Sequence, residues 1–164
     1  MSATDELLRN SERYSSSFVE GGLPVRPAKK VAVVACMDSR LDVFRILGLE
    51  AGDAHVIRNA GGVVTEDVIR SLLISQALLG TEEVILIHHT DCGMLAVNDD
   101  QLKQRIVMET GIRPPFALGA FTDLEDDVRQ SIARIATSGL IPKKTSVRGF
   151  VYDVRTGRLG EVSA

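Results

Sequence analysis

Two cysteines and one histidine are placed in this chain where they could hold a metal ion. Cys36 follows the apolar run at residues 31–35. His89 and Cys92 follow a second apolar run, at residues 84–87. Two thiolates and one imidazole make three ligands, the number that a catalytic zinc site keeps when its fourth tetrahedral position is open to water or substrate. A structural zinc site normally closes with a fourth cysteine or histidine, and the chain has only 2 cysteines. The pattern therefore favours a catalytic zinc site.

Each of these three residues, taken alone, has an ordinary structural explanation. Free cysteines are often buried, and a histidine can be a hydrogen-bonded member of a core. Their joint placement makes this the weaker alternative, and the mixture of thiolate with imidazole favours zinc over copper or iron. A redox pair of Cys36 and Cys92 is a third alternative, which the absence of a Cys-x-x-Cys motif disfavours.

A carboxylate and a guanidinium follow the first cysteine closely. Two thiolates cancel the charge of a zinc ion, so the site should acidify its water less than an all-histidine site, where the pKa of bound water is about 7. Asp38 is placed to accept a hydrogen bond from a zinc-bound hydroxide, and Arg40 can keep Asp38 ionised through a bidentate pair. Two alternatives stay open: an ordinary surface ion pair, and Asp38 as a fourth ligand that closes the site.

Length, charge and cysteine content narrow the class of protein. A chain of 164 residues suits one domain that needs no disulfide for stability, and two distant cysteines favour a reducing compartment. The net charge is −3, without a dense basic block, so nucleic acid is not expected as a partner. The amino terminus lacks the features of a signal peptide, and no apolar run approaches membrane-spanning length. We therefore expect a soluble, cytoplasmic protein with no membrane partner.

The hydrophobic pattern predicts an α/β fold. Apolar runs at residues 31–35, 55–57 and 84–87 indicate parallel strands that are buried on both faces. The tail at residues 147–162 alternates around Thr156-Gly157, which is typical of a hairpin. The prediction is a mostly parallel central sheet flanked by helices, with a C-terminal antiparallel hairpin.

Capping residues locate the helices that flank this sheet. Thr65 is expected to cap a helix through residue 79, with Gly80 beyond its end. A shorter helix is expected at residues 99–110, and a capping box beginning at Thr122 predicts another helix that ends near Gly139.

The chain divides into an arm and one domain. Residues 7–18 have the pattern of an amphipathic helix, and a Gly-Gly-Leu-Pro linker follows at residues 21–24. We predict an N-terminal helical arm at residues 1–27 and a single zinc-binding catalytic α/β domain at residues 28–164.

The two ligand-bearing segments can meet in space despite their separation along the chain. Ligands of open parallel sheets gather at the carboxyl ends of the strands, near the point where the strand order reverses. If the first and third strands are neighbours, Cys36 and His89 fall at that point. Around it, Gly61 and Gly62 form a turn that carries no nucleotide-binding fingerprint, and Met94 could supply an apolar wall. A tight turn and core packing are the alternative roles of these residues.

Both motifs, assembled in this way, resemble the signature segments of the β-class carbonic anhydrases, Cys-x-Asp-x-Arg and His-x-x-Cys. The similarity extends over residues 28–155, including segments 55–62 and 149–154. The resemblance implies zinc held by Cys36, His89 and Cys92, with reversible hydration of carbon dioxide by attack of zinc-bound hydroxide. It implies that Asp38 orients the attacking group while Arg40 supports Asp38, and that the glycine turn lies near the floor of the site.

The resemblance also bears on assembly and on the state of the site. It implies a dimer as the basic unit, with the amino-terminal helix reaching onto the partner. Members of the family that are regulated by bicarbonate resemble one another in a tryptophan three residues before the first cysteine, where this chain has Val33. We therefore expect the open site, with Asp38 off the metal.

Two other functions share these motifs. Carbonyl sulfide and carbon disulfide hydrolases resemble β-carbonic anhydrases in both segments, because hydroxide attack on a linear, electrophilic carbon is the same first step. A zinc-binding protein without turnover is the remaining alternative, and Asp38 and Arg40 argue against it because a structural metal does not need them.

Overall fold

A five-stranded sheet forms the centre of the protein in the computed structural model, which describes residues 2–163. The strands are β1 (Val31–Cys36), β2 (Ala54–Asn59), β3 (Glu83–His89), β4 (Val147–Tyr152) and β5 (Leu159–Val162). Their order across the sheet is β2-β1-β3-β4-β5. Neighbouring strands pair in parallel from β2 to β4, and β5 pairs antiparallel to β4. The predicted fold class is confirmed, including the C-terminal hairpin and the neighbouring positions of the first and third strands.

Five helices accompany the sheet within the described residues. They are α1 (Ala3–Ser16), α2 (Val43–Leu47), α3 (Glu66–Ala77), α4 (Asp99–Thr110) and α5 (Leu124–Thr137). Thr65 caps α3 as predicted, because its side chain accepts a hydrogen bond from the backbone N–H of Val68, although α3 ends two residues earlier than expected. The capping box predicted at Thr122 is wrong. Asp123 caps α5 instead, since its carboxylate accepts from the backbone N–H of Asp126 at 2.9 Å.

The core lies on both faces of the sheet, as the unbroken apolar runs predict. Ala32 and Val34 of β1 pack on the face that α3 and α5 cover, whereas Val33 and Ala35 face the opposite cluster. All four side chains are fully buried. Because both faces of β1 are covered, the position of its carboxyl end is tightly fixed.

The helix α1 stands apart from this core. None of its residues, all of which the structure describes, is buried. It begins about one turn ahead of the predicted amphipathic stretch at 7–18 and ends before Phe18, with Ser2 and Asp5 forming a capping box. Its apolar side chains, including Leu7 and Tyr14, are exposed. Within residues 2–163, no helix is both long enough and apolar enough to cross a membrane.

Candidate metal centre

Parallel pairing of β1 with β3 brings the two motif segments to one edge of the sheet. The register runs from Val31 opposite Glu83 to Ala35 opposite Ile87, so the two strands end side by side. Cys36 is the last residue of β1, and His89 is the last residue of β3. Cys92 lies three residues beyond His89, after a turn. The predicted convergence of the motifs is therefore observed.

Three potential ligand atoms lie close together at this edge. One ligand atom each from Cys36, His89 and Cys92 falls within 4.8 Å of the others, and all three residues are buried. The two sulfur atoms are 4.0 Å apart. Buried thiols and an imidazole at such separations are a donor set that zinc prefers.

The orientation of His89 suits a metal ligand. Its Nδ1 lies 2.9 Å from the carbonyl oxygen of Thr90, which can only accept, so Nδ1 carries the proton. The lone pair is then on Nε2, which is buried and has no hydrogen-bond partner among the described residues. A histidine ligand commonly donates its second ring N–H in this way, which fixes the ring and its tautomer. The residues present thus fit a zinc ion.

The two thiols differ in their tendency to ionise in the absence of metal. Burial opposes ionisation of Cys36, but the adjacent His89 ring and the backbone amides of Asp38 and Gly61 outweigh it and lower the pKa of this thiol to about 7. Burial raises the pKa of Cys92 to about 11, and the neighbouring Cys36 adds to this effect. Cys36 is therefore the thiol that ionises first.

Asp38 and Arg40 form a paired group beside the ligand atoms. Arg40 donates from Nε to Asp38 Oδ1 at 2.9 Å and from Nη2 to Asp38 Oδ2 at 2.8 Å. The backbone N–H of Arg40 also donates to Oδ1, at 2.9 Å. These hydrogen bonds hold the pKa of Asp38 well below its usual range. Asp38 Oδ2 lies 3.7 Å from His89 Nε2, so the carboxylate borders the candidate metal position.

Two more residues contact this group in ways that sequence reasoning did not find. Asp91 accepts hydrogen bonds from Arg40 through both its carboxylate and its carbonyl. Arg58 donates from Nε and Nη2 to the carbonyl of Cys36 and from Nη2 to the carbonyl of Asp38. The sequence positions of both residues gave a partial indication that they belong to the site. Asp91 lies between two candidate ligands, and Arg58 follows a predicted strand. Contacts to a carbonyl, however, depend on backbone geometry that residue types do not encode.

A small cleft of about 200 Å³ opens beside the ligand atoms. The residues that line it are Cys36, Met37, Asp38, Ala60, Gly61, Cys92, Gly93 and Met94. Gly61 and Met94 therefore line a cleft beside the candidate ligands, and their contact with a substrate stays a prediction. Gly62 lies behind this wall, with a positive φ of 73°, and a Cβ there would be 2.9 Å from the backbone nitrogen of Cys36. Glycine is therefore needed at position 62 because the glycine turn passes close to the backbone of β1 and β3.

The other two histidines of the chain lie away from this centre. His88 points to the opposite face of β3, where its Nδ1 is 3.1 Å from Asp127 Oδ2 and its ring lies 5.9 Å from that of Phe121. His55 binds the hydroxyl of Ser75 at 2.7 Å. Both histidines therefore make packing and polar contacts away from the candidate ligands.

Comparisons with known proteins agree on one family. A family model described as carbonic anhydrase matches residues 31–114. The protein named β-carbonic anhydrase 1 of Mycobacterium tuberculosis is 58% identical over 163 residues, which cover 99% of each chain. The crystal structure of a carbonic anhydrase from Streptococcus mutans superposes with a TM-score of 0.94 at 43% identity, again covering 99% of each chain. A protein named carbon disulfide hydrolase, from Acidithiobacillus thiooxidans, is 32% identical and covers 97% of this chain and 90% of its own.

The unequal pKa values of the two thiols predict an order of chemical reactivity in metal-free protein. Only a thiolate is alkylated quickly. A pH of 8 is above the pKa of Cys36, so this thiol is mostly ionised, and it is below the pKa of Cys92, so that thiol is protonated. Mass spectrometry after brief iodoacetamide treatment should find Cys36 labelled first, and prior addition of zinc should protect both residues. Equal labelling rates in metal-free protein would contradict the assignment, and Cys36→Ser is the control that leaves only slow labelling.

Proposed function

The chain belongs to the β-carbonic anhydrase family, as its motifs indicated, and we propose that it catalyses the reversible hydration of carbon dioxide to bicarbonate and a proton. We assign zinc as the cofactor and Cys36, His89 and Cys92 as its ligands. The observation that carries this proposal is the convergence of three buried ligand atoms with the Asp38–Arg40 pair beside a small cleft. The identity of 58% to a protein named β-carbonic anhydrase 1 supports the same activity.

The protein part of the mechanism begins with the ligands. Zinc, when bound, supplies a Lewis acid that lowers the pKa of water at its open position. Cys36 and Cys92 offer thiolates, and the Thr90 carbonyl fixes His89 so that Nε2 faces them. The unequal thiol pKa values favour Cys36 as the first thiolate available to an incoming metal ion.

Asp38 is assigned the role of orienting the attacking water. Its lowered pKa keeps the carboxylate ionised at neutral pH, so it accepts hydrogen bonds and does not donate them. Oδ2 receives one hydrogen bond from Arg40 and so keeps acceptor capacity, and Asp38 is one of the residues that line the cleft. A carboxylate whose pKa is this low is a poor proton carrier, so Asp38 serves to aim the nucleophile.

Arg40 favours the open form of the site. A free carboxylate this close to His89 could bind the metal as a fourth ligand and displace water. Arg40 instead engages both carboxylate oxygens in a bidentate pair, the strongest common arrangement for these groups. The pair therefore supports the expectation that Asp38 stays off the metal.

The cleft suits a small and weakly polar substrate. Its walls include Met37, Ala60 and Met94, and Asp38 supplies the one carboxylate among the described residues that line it. Apolar walls bind an uncharged linear molecule without having to desolvate an ion. Charged bicarbonate is held less well by such walls, which favours its release.

Hydrolysis of carbonyl sulfide or carbon disulfide is the second candidate. The relative named carbon disulfide hydrolase supports it, and a linear sulfur analogue could react beside the same ligands. Carbon dioxide is favoured because 58% identity to a protein named β-carbonic anhydrase 1 exceeds the 32% identity to that hydrolase. A zinc-binding protein without turnover is disfavoured, since it would need neither Asp38 nor the cleft.

We further propose that the chain acts as a homo-oligomer with a dimer as its smallest unit. Residues 1–27 would serve as an arm that packs on a partner, and residues 28–164 as the catalytic domain. The exposed apolar residues of α1, among them Leu7 and Tyr14, support this because an isolated amphipathic helix of 14 residues is marginally stable. The reduced thiols that the site requires favour the cytoplasm as its location.

Paired turnover measurements on one zinc-loaded preparation test the proposed activity. Proton release from carbon dioxide should be fast, and sulfide release from carbonyl sulfide should be feeble at the same mildly alkaline pH. The reverse ratio would identify a carbonyl sulfide hydrolase. Absence of both activities in a preparation that holds stoichiometric zinc would favour a binding protein.

Replacing Asp38 with alanine should abolish turnover without releasing the metal. We expect kcat/KM for hydration to fall about 100-fold or more, because the nucleophile loses its orienting acceptor. Zinc content, measured by atomic emission, should stay at the wild-type value. Asp67→Ala is the matched control, since Asp67 also binds an arginine at 2.8 Å but lies on α3. Wild-type turnover in Asp38→Ala would remove this residue from the mechanism.

Charging the apolar face of α1 should weaken the assembly. Leu7 and Tyr14 lie seven positions apart and so share a helix face. In sedimentation velocity runs, the wild type should migrate as a dimer or larger, and the double variant Leu7→Glu/Tyr14→Glu should shift toward the monomer. Glu12→Gln is the control for a change elsewhere on the helix. An unchanged sedimentation coefficient in the double variant would show that α1 does not hold the oligomer together.

A further inference from the structure

We propose that Asp91 is a positioning residue that acts through Arg40. By binding the guanidinium from the turn between His89 and Cys92, Asp91 holds it where Asp38 remains paired with Arg40 and away from the metal. This inference rests on the proposed function and adds a third member to the pair expected from the sequence.

The hydrogen bonds of Arg40 carry the first part of the argument. Its Nη1 donates to Asp91 Oδ2 at 2.8 Å, and its Nη2 donates to the Asp91 carbonyl at 3.0 Å. Nε and Nη2 bind the two oxygens of Asp38. All three nitrogens of the guanidinium are thus engaged, and its plane is fixed by carboxylates on both sides. One arginine thereby joins the segment after β1 to the segment after β3.

The backbone of Asp91 carries the second part. Its φ is +57°, in the left-handed region, where glycine fits most easily and where aspartate is among the better-tolerated other residues. Glycine at this position would adopt the same turn with less strain but would offer no carboxylate. The residue present supplies both the turn and an anionic partner for Arg40.

Loss of the Asp91 carboxylate has a specific consequence at the metal position. Arg40 Nη1 would lose its anionic partner, which leaves the guanidinium held less firmly against Asp38. Asp38 Oδ2 is already 3.7 Å from His89 Nε2, so a released carboxylate lies close enough to compete for the open coordination position. The fold should tolerate the change, because the side chains of Arg40 and Asp91 are 44% and 69% exposed and such pairs add little to stability.

The test compares Asp91→Asn with a matched control. Asparagine keeps the tolerance for positive φ and removes the charge, and Asp67→Asn removes a carboxylate of similar exposure that binds Arg70 at 2.8 Å on α3. We expect kcat/KM for carbon dioxide hydration to fall about fivefold in Asp91→Asn. A change of this size corresponds to the largest interaction energies usual for exposed ion pairs. The melting temperature should stay at the wild-type value, and the control should match the wild type in both measurements.

Cobalt-substituted protein gives a readout that does not depend on turnover. Thiocyanate is added stepwise to the cobalt form, and the change in the visible absorption spectrum gives its affinity. This affinity reports whether the fourth coordination position is open. Asp91→Asn should bind thiocyanate about fivefold more weakly, because Asp38 competes for that position. In an Arg40→Ala background the same substitution should have no further effect, since it acts through Arg40. Asp91→Gly, which relieves the backbone, should repeat the loss and serves if Asp91→Asn folds poorly.

Wild-type thiocyanate affinity and kcat/KM in Asp91→Asn would overturn the inference. An equal loss of affinity in the Arg40→Ala background would also overturn it, because Asp91 would then act by another route. The proposed function fails separately: a wild type that does not hydrate carbon dioxide refutes that activity, while the thiocyanate comparison still decides the role of Asp91.

Discussion

The parallel pairing of β1 with β3 is the interaction on which the site depends. The two strands lie side by side in the sheet, and the candidate ligands are the last residue of each strand and Cys92 in the turn after β3. A shift of the pairing by one residue would reverse the faces of one strand relative to the other and separate Cys36 from His89. Burial of β1 on both faces prevents such a shift, so the hydrophobic core sets the ligand geometry.

Arginines fix the segment after β1 from two directions. Arg58 on β2 binds the carbonyls of Cys36 and Asp38, and Arg40 binds the Asp38 carboxylate. Gly62 allows the glycine turn to approach the backbone of Cys36 more closely than any side chain would permit. The main chain and the side chain of Asp38 are therefore both held before any ligand arrives, and such preorganisation is how a site avoids reorganising during reaction.

The sequence predicted much of this arrangement because strong local signals coincide with it. Uninterrupted apolar runs identified β1 and β3, and the spacing of Cys36, His89 and Cys92 identified the candidate ligands. The cap of α5 was misplaced by one residue, since Thr122 and Asp123 are both good caps and only the backbone geometry chooses Asp123. The link from Arg40 to Asp91 could not be predicted, because it joins two segments through a left-handed turn that depends on the folded chain.

Because the candidate ligands are far apart along the chain, they are translated at different times. Cys36 and Cys92 are 56 residues apart, a length that a ribosome adds in about 3 to 11 s at ~5–20 residues per second. During this interval Cys36 has been made but has no partner ligands, and β1 cannot pair with a strand that does not yet exist. The three-ligand site can therefore form only after Cys92 has been translated, and until then Cys36 is a thiol without its partners.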